Sequence, residues 1–129
     1  MKYLTAIAGI LLGAVFVMAS GMYFWGKMPP MEFPEGSPIS HFMGAFGPTG
    51  YMTFVKVFEL TGGILVMLPW TRYFGLLLLG PVLVNIVAFH VFITGGQGLI
   101  DWMLDIALAC ALFLLWTGRK KFGALLGGN

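Results

Sequence analysis

The chain has 129 residues, of which 59% are hydrophobic and 9% charged, with a formal net charge of +2. Soluble domains carry roughly a quarter of their residues as charged side chains, and a small fold cannot hide this much apolar surface, so the composition excludes an ordinary water-soluble domain. The weak net charge speaks against nucleic acid as a partner and leaves the lipid bilayer as the expected surroundings of a single domain, residues 1–129.

Four apolar runs follow in chain order, at about residues 3–25, 51–69, 73–94 and 99–117. Each is close to the ~20 residues that a helix needs to cross the ~30 Å hydrocarbon layer. The runs are continuous rather than alternating, which favours helices over strands in lipid. The first, with its basic start, apolar middle and small-residue end, also fits a secretory signal. Its apolar character continues through "GMYFW", and Gly9 and Gly13 in "GILLG" supply a small-xxx-small face for helix packing, so it is read as a span.

Residues 26–50 join the first two runs and contain Pro29, Pro30, Pro34, Pro38 and Pro48. No long helix fits there. The stretch "ISHFMGAF", residues 39–46, suits a short interfacial helix with Ser37 or Ser40 near its start, and the whole segment is expected to cap the outer face. The later links, "WTR" and "GGQG", are short enough to make successive spans antiparallel neighbours. Lys2, Arg72, Arg119, Lys120 and Lys121 then share one side without acids, while Lys27, Glu32 and Glu35 share the other. By the positive-inside rule both termini are cytoplasmic. The expected fold is all-α: an integral-membrane four-helix bundle, up-down-up-down, in the cytoplasmic membrane.

The polar residues inside the runs lie in the outer half. At helical rise Lys56 and Glu59 sit about 8 and 12 Å below Tyr51. Asn85 and His90 on the third run, and Asp101 and Asp105 on the fourth, fall in the same layer. Charge in the bilayer costs about 2.5 to 3.5 kcal/mol on insertion scales, so groups at one depth are expected to face one another in a polar pocket. At about 100° per residue Lys56 and Glu59 form an i,i+3 pair, and Asp101 and Asp105 share a face. Asn85 and His90 are about 140° apart, so they do not both point at one pocket unless Pro81 kinks the helix or one of them faces a different neighbour. Blander roles compete: an intrahelical ion pair for Lys56 and Glu59, interhelical glue for Asn85, an exposed N-terminal cap for Asp101. His90, whose imidazole can carry a proton, ligate a metal or hold a carbonyl, is the first residue to test. His41 reads as an exposed loop residue.

Several chemistries are disfavoured. Cys110 is the only cysteine, so no dithiol relay operates within the chain. No phosphate-loop spacing occurs, and no local motif specifies a metal or haem site.

The segments "FVKVFELTGGILVMLPWTR" and "LLLLGPVLVNIVAFHVFI" resemble the DoxX and DoxX-like family of small four-helix membrane proteins. The resemblance covers residues 51–93 and makes Lys56, Glu59, Gly62, Gly63, Pro81, Asn85 and His90 its signature positions. It implies a bacterial or archaeal membrane protein linked to redox complexes, with quinone as the ligand to consider. Three functions fit these residues. One is an accessory subunit of a quinone-linked redox complex, with other membrane subunits as partners. Another is a structural or assembly subunit without a catalytic site. The third, a small oxidoreductase acting alone with His90 and Glu59 or Asp105, asks most of a chain with no cofactor motif. No catalytic residue is assigned.

Overall fold

The computed structural model describes residues 2–26, 33–96 and 101–127. Among them the chain is helical, without strands: α1 (Lys2–Trp25), α2 (Pro38–Phe46), α3 (Tyr51–Met67), α4 (Arg72–Ala88), a π-helical turn (Phe89–Ile93), α5 (Trp102–Thr117) and α6 (Arg119–Leu125). Residues 27–32 of the expected cap, with Lys27 and Glu32, and residues 99–100 of the fourth expected span lie outside the described residues.

Local chemistry sets the helix ends. Ser37 caps α2: its backbone is extended and its hydroxyl accepts the Ser40 N–H at 3.2 Å, with Pro38 at the first helical position. Gly50 turns the chain into α3 at φ 82, a conformation costly for residues with a Cβ. At its other end α3 stops at Leu68, whose backbone is extended ahead of Pro69. The carbonyls left over in the last turn of α3 find side-chain donors. The Thr71 hydroxyl donates to Leu65 O at 2.8 Å, Arg72 Nε to Val66 O at 3.2 Å and Arg72 Nη2 to Met67 O at 3.4 Å. A buried guanidinium thus closes the negative end of a helix. By sequence Arg72 counts among the inner-face charges, and its role as a cap shows only in the fold.

Helix α1 packs on α3 and α5, α3 on α4, and α4 more lightly on α5. Glycines bring α1 and α3 close. A Cβ on Gly9 would lie 2.7 Å from the carbonyl oxygen of Val66, and one on Gly13 would lie 2.5 Å from that of Gly63. At the other end Tyr23 Oη and Thr53 Oγ1 share a 2.9 Å hydrogen bond, so partner numbers run in opposite directions, as in antiparallel neighbours. Gly62 faces Leu79 of α4, and Gly63 faces Phe16 and Val17 of α1. All four expected packing glycines are buried at helix contacts, and Gly75 on α4 joins them against the backbone of Gly62 and Val66. Leu12, Val66, Leu79 and Leu114 fill the space between, each with 0% exposure.

Among the described residues two helical stretches, Lys2–Trp25 and Arg72–Ile93, are each long and apolar enough to cross a membrane. The number becomes four if two bent pairs count as one span each: α2 with α3, bent by 80°, and α5 with α6, bent by 72°. By themselves α3 and α5 have 17 and 16 residues, somewhat short of the ~20 that a full crossing takes. The bend after α5 occurs at Gly118, where a Cβ would meet the Tyr73 ring at 2.5 Å. Outward faces are apolar, with Leu4, Ile10, Val84, Phe92 and Leu112 among many exposed large side chains. A helix apolar all round is the pattern of a lipid-facing segment.

Candidate functional site

Pro81, the residue expected to kink the third run, lies inside α4, which continues to Ala88, and a π-helical turn follows at Phe89–Ile93. There the Thr94 N–H donates to Phe89 O at 3.2 Å, an i to i+5 bond, and the Thr94 hydroxyl donates to His90 O at 2.8 Å. A π turn holds more residues than an α turn, so each residue advances less around the axis. That offset narrows the angle that separates Asn85 from His90 in an ideal α-helix, and both residues line one cavity.

This cavity, about 530 Å³, lies between α2, α3 and the α4–π segment. Lys56 and Glu59 approach it from α3, and Asn85 and His90 from the opposite wall. Glu59 is 4% exposed, and its Oε2 lies 2.8 Å from Lys56 Nζ. The contact is an ion pair without hydrogen-bond alignment, so this buried oxygen accepts no hydrogen bond from the described residues. Lys56 Nζ also stands 5.9 Å from the centroid of the Tyr23 ring, an outer distance for a cation–π contact. Asn85 is the most exposed of the four polar residues, and its amide donates to Pro81 O at 3.0 Å.

The rest of the lining is aromatic and apolar. Phe42 and Phe46 of α2 stack with centroids 4.0 Å apart, Phe42 meets Phe89 at 4.7 Å, and Phe46 meets Tyr51 at 4.4 Å. The expected outer cap thus contributes one wall of the cavity through α2, held by edge and offset ring contacts. Phe42 and Phe46 were not singled out in the sequence. Their i,i+4 spacing in "FMGAF" was the available signal.

Asp101 and Asp105 are not brought to this cavity; both are exposed on α5. Asp101 is the N-cap of α5, with its carboxylate accepting the Met103 N–H at 3.4 Å, as the blander reading had it. Asp105 stands in the first turn, where negative charge suits the helix N-terminus. Placing all six polar residues in one chamber relied on their common depth, and depth does not specify which way a helix is rotated. Among the described residues no group of three or more His, Cys, Asp or Glu side chains converges on a metal position.

The arrangement can recognise an amphiphilic molecule. Rings and aliphatic side chains make up most of the slot, and its polar groups are few and specific, as in small-molecule sites generally. The Glu59 carboxylate can accept from a ligand O–H or N–H, and the Lys56 ammonium has protons to give a ligand carbonyl. Comparison with protein-family models, with curated proteins and with solved structures finds no match to this chain.

Proposed function

We propose that this chain is an accessory subunit of a membrane-bound, quinone-linked redox complex, and that the cavity walled by α2, α3 and the π turn takes the quinone ring. In this proposal the four main helices form an up-down-up-down bundle in a bacterial or archaeal cytoplasmic membrane, with both termini inside. The cavity then lies in the outer half of the bundle. The DoxX-like pattern in residues 51–93 supports the class. The observation that carries the ligand is Glu59: a buried carboxylate oxygen, without an aligned donor among the described residues, on the wall of an aromatic slot. A quinol hydroxyl supplies that donor, a quinone carbonyl accepts from Lys56, and Phe42, Phe46 and Phe89 cover the ring.

An accessory role follows from what the site contains. It can bind and orient a ring and hold a proton at Glu59 or His90, while bound quinone supplies the redox chemistry and a partner supplies the other electron carrier. The alternative, an assembly subunit, draws on the exposed Asp101 and Asp105, two carboxylates on α5 that stand clear of the cavity.

The test is binding of a short-chain benzoquinone to the purified full chain in detergent, followed by calorimetry. Saturable binding is expected, weakened about threefold to tenfold in His90→Ala, the range for losing one hydrogen bond from its imidazole to the second quinone carbonyl. If His90→Ala leaves binding unchanged while reducing the amount of partner protein that copurifies, the assembly reading replaces this one.

A further inference from the structure

A second concavity lies on the opposite side of α4 from the ring pocket. It is a groove of about 640 Å³ between α4, α5 and α6, lined by apolar side chains and Gly80. It exists because α4 and α5 pack lightly and α6 turns away from α5 by 72°. Along α4 the groove runs from Leu76 to Val87, about 16 Å at helical rise, or roughly half of the ~30 Å hydrocarbon layer. That is the depth of one leaflet.

One end of the groove is cationic. Phe122 and Leu125 of α6 point into it, and the same short helix carries Arg119, Lys120 and Lys121, all exposed. Two of these cations are held over aromatic rings, Arg119 at 4.6 Å from the Trp116 centroid and Lys121 at 4.6 Å from that of Tyr73. A hydrogen bond of 2.9 Å from Tyr73 Oη to Thr117 Oγ1 ties that end of α4 to α5, so the charges stay beside the groove. Of the described carboxylates, Glu35, Asp101 and Asp105 belong to the other end of the molecule, and Glu59 stands midway along α3 on the opposite side of α4.

We infer that this groove binds one molecule of anionic phospholipid, with an acyl chain along α4 and α5 and the headgroup phosphate against Arg119, Lys120 and Lys121. An apolar trough of one leaflet's depth with a basic rim matches an anionic amphiphile in both length and charge. A neutral lipid leaves the rim unused, and a soluble phosphate leaves the trough unused. The inference rests on the membrane placement under Proposed function and is independent of the ring pocket.

Native mass spectrometry of the full chain, released from nanodiscs containing equal phosphatidylglycerol and phosphatidylcholine, tests it. Retained phosphatidylglycerol should exceed phosphatidylcholine by at least about tenfold, given what each basic residue near a surface contributes to anionic lipid binding. Joint substitution of Arg119→Gln, Lys120→Gln and Lys121→Gln should bring the two lipids near parity. Ala111→Phe, which fills the trough, should lower retention of both, with circular dichroism confirming the helices. Equal retention by the unmodified chain, an unchanged preference in the triple variant, or equally good binding of glycerol 3-phosphate without acyl chains would each overturn the lipid site. A chain that washes off membranes in alkaline carbonate would overturn the membrane placement as well; one that stays embedded without headgroup preference would overturn the lipid site alone.

Discussion

Gly13→Leu is expected to destroy the α1–α3 contact and with it the folded chain, whereas Gly21→Leu in the same helix is expected to be tolerated. A Cβ at Gly13 would run into the Met67 side chain and sit 2.5 Å from the carbonyl oxygen of Gly63, so even if Met67 swings aside the backbone obstacle remains. Overpacking typically costs about 1 to 3 kcal/mol, and this site falls at the upper end because two rigid helices have to separate. At Gly21 the added Cβ meets nothing within 4 Å. The change there should stay within about 0.5 kcal/mol, and the better helix propensity of leucine works in its favour. Thermal unfolding in detergent, read by size-exclusion chromatography, separates the two: loss of the monodisperse peak for Gly13→Leu and little shift for Gly21→Leu. Similar behaviour of both variants would contradict the close approach of α1 and α3.

Lys56→Met is expected to be more damaging than Lys56→Met combined with Glu59→Gln. With Lys56 in place, its ammonium lies 2.8 Å from a carboxylate that is 4% exposed. Removing the cation alone leaves that carboxylate buried without its counter-charge, a change that costs about 3 to 5 kcal/mol in comparable buried pairs. Neutralising both partners removes the stranded charge, so the double variant should recover most of the lost stability. A double-mutant cycle on unfolding free energy measures the coupling directly. Equal losses in single and double variants would show that the two side chains act separately.

How much of this was legible in the sequence depends on which physical signal each feature left. Apolar run length locates the long helices closely: 3–25 is expected where α1 covers Lys2–Trp25, and 51–69 where α3 covers Tyr51–Met67. Ser37 and Pro38 announce the start of α2 by their chemistry, and Gly9, Gly13, Gly62 and Gly63 announce close packing by their size. The pairing of Lys56 with Glu59 was readable from spacing alone. Rotation was less readable. Helix α5 is apolar on every side, so no stripe in its sequence marks which face turns inward, and Asp105 could be assigned a depth but not a direction. The π turn at Phe89–Ile93 leaves no compositional trace, yet it carries Phe89 and His90 on the cavity wall that Asn85 also lines. Arg72 shows a similar gap: a cation at a membrane boundary reads as surface charge, and only the fold reveals the carbonyls of Val66 and Met67 that it serves. Helix α6 was also missed. Its glycine and its run of basic residues, "GRKKFG", resemble a chain end more than a helix.

The ring pocket is the centre of the functional proposal, and photolabelling tests it most directly. A benzoquinone carrying a photoreactive tail, irradiated with the intact membrane-embedded protein, should attach to peptides containing Phe42–Phe46, Met52–Glu59 or Val82–Ile93, and excess unlabelled quinone should suppress the attachment. Labels confined to α1 or α5, or labelling that unlabelled quinone fails to reduce, would contradict a quinone site between α2, α3 and the π turn.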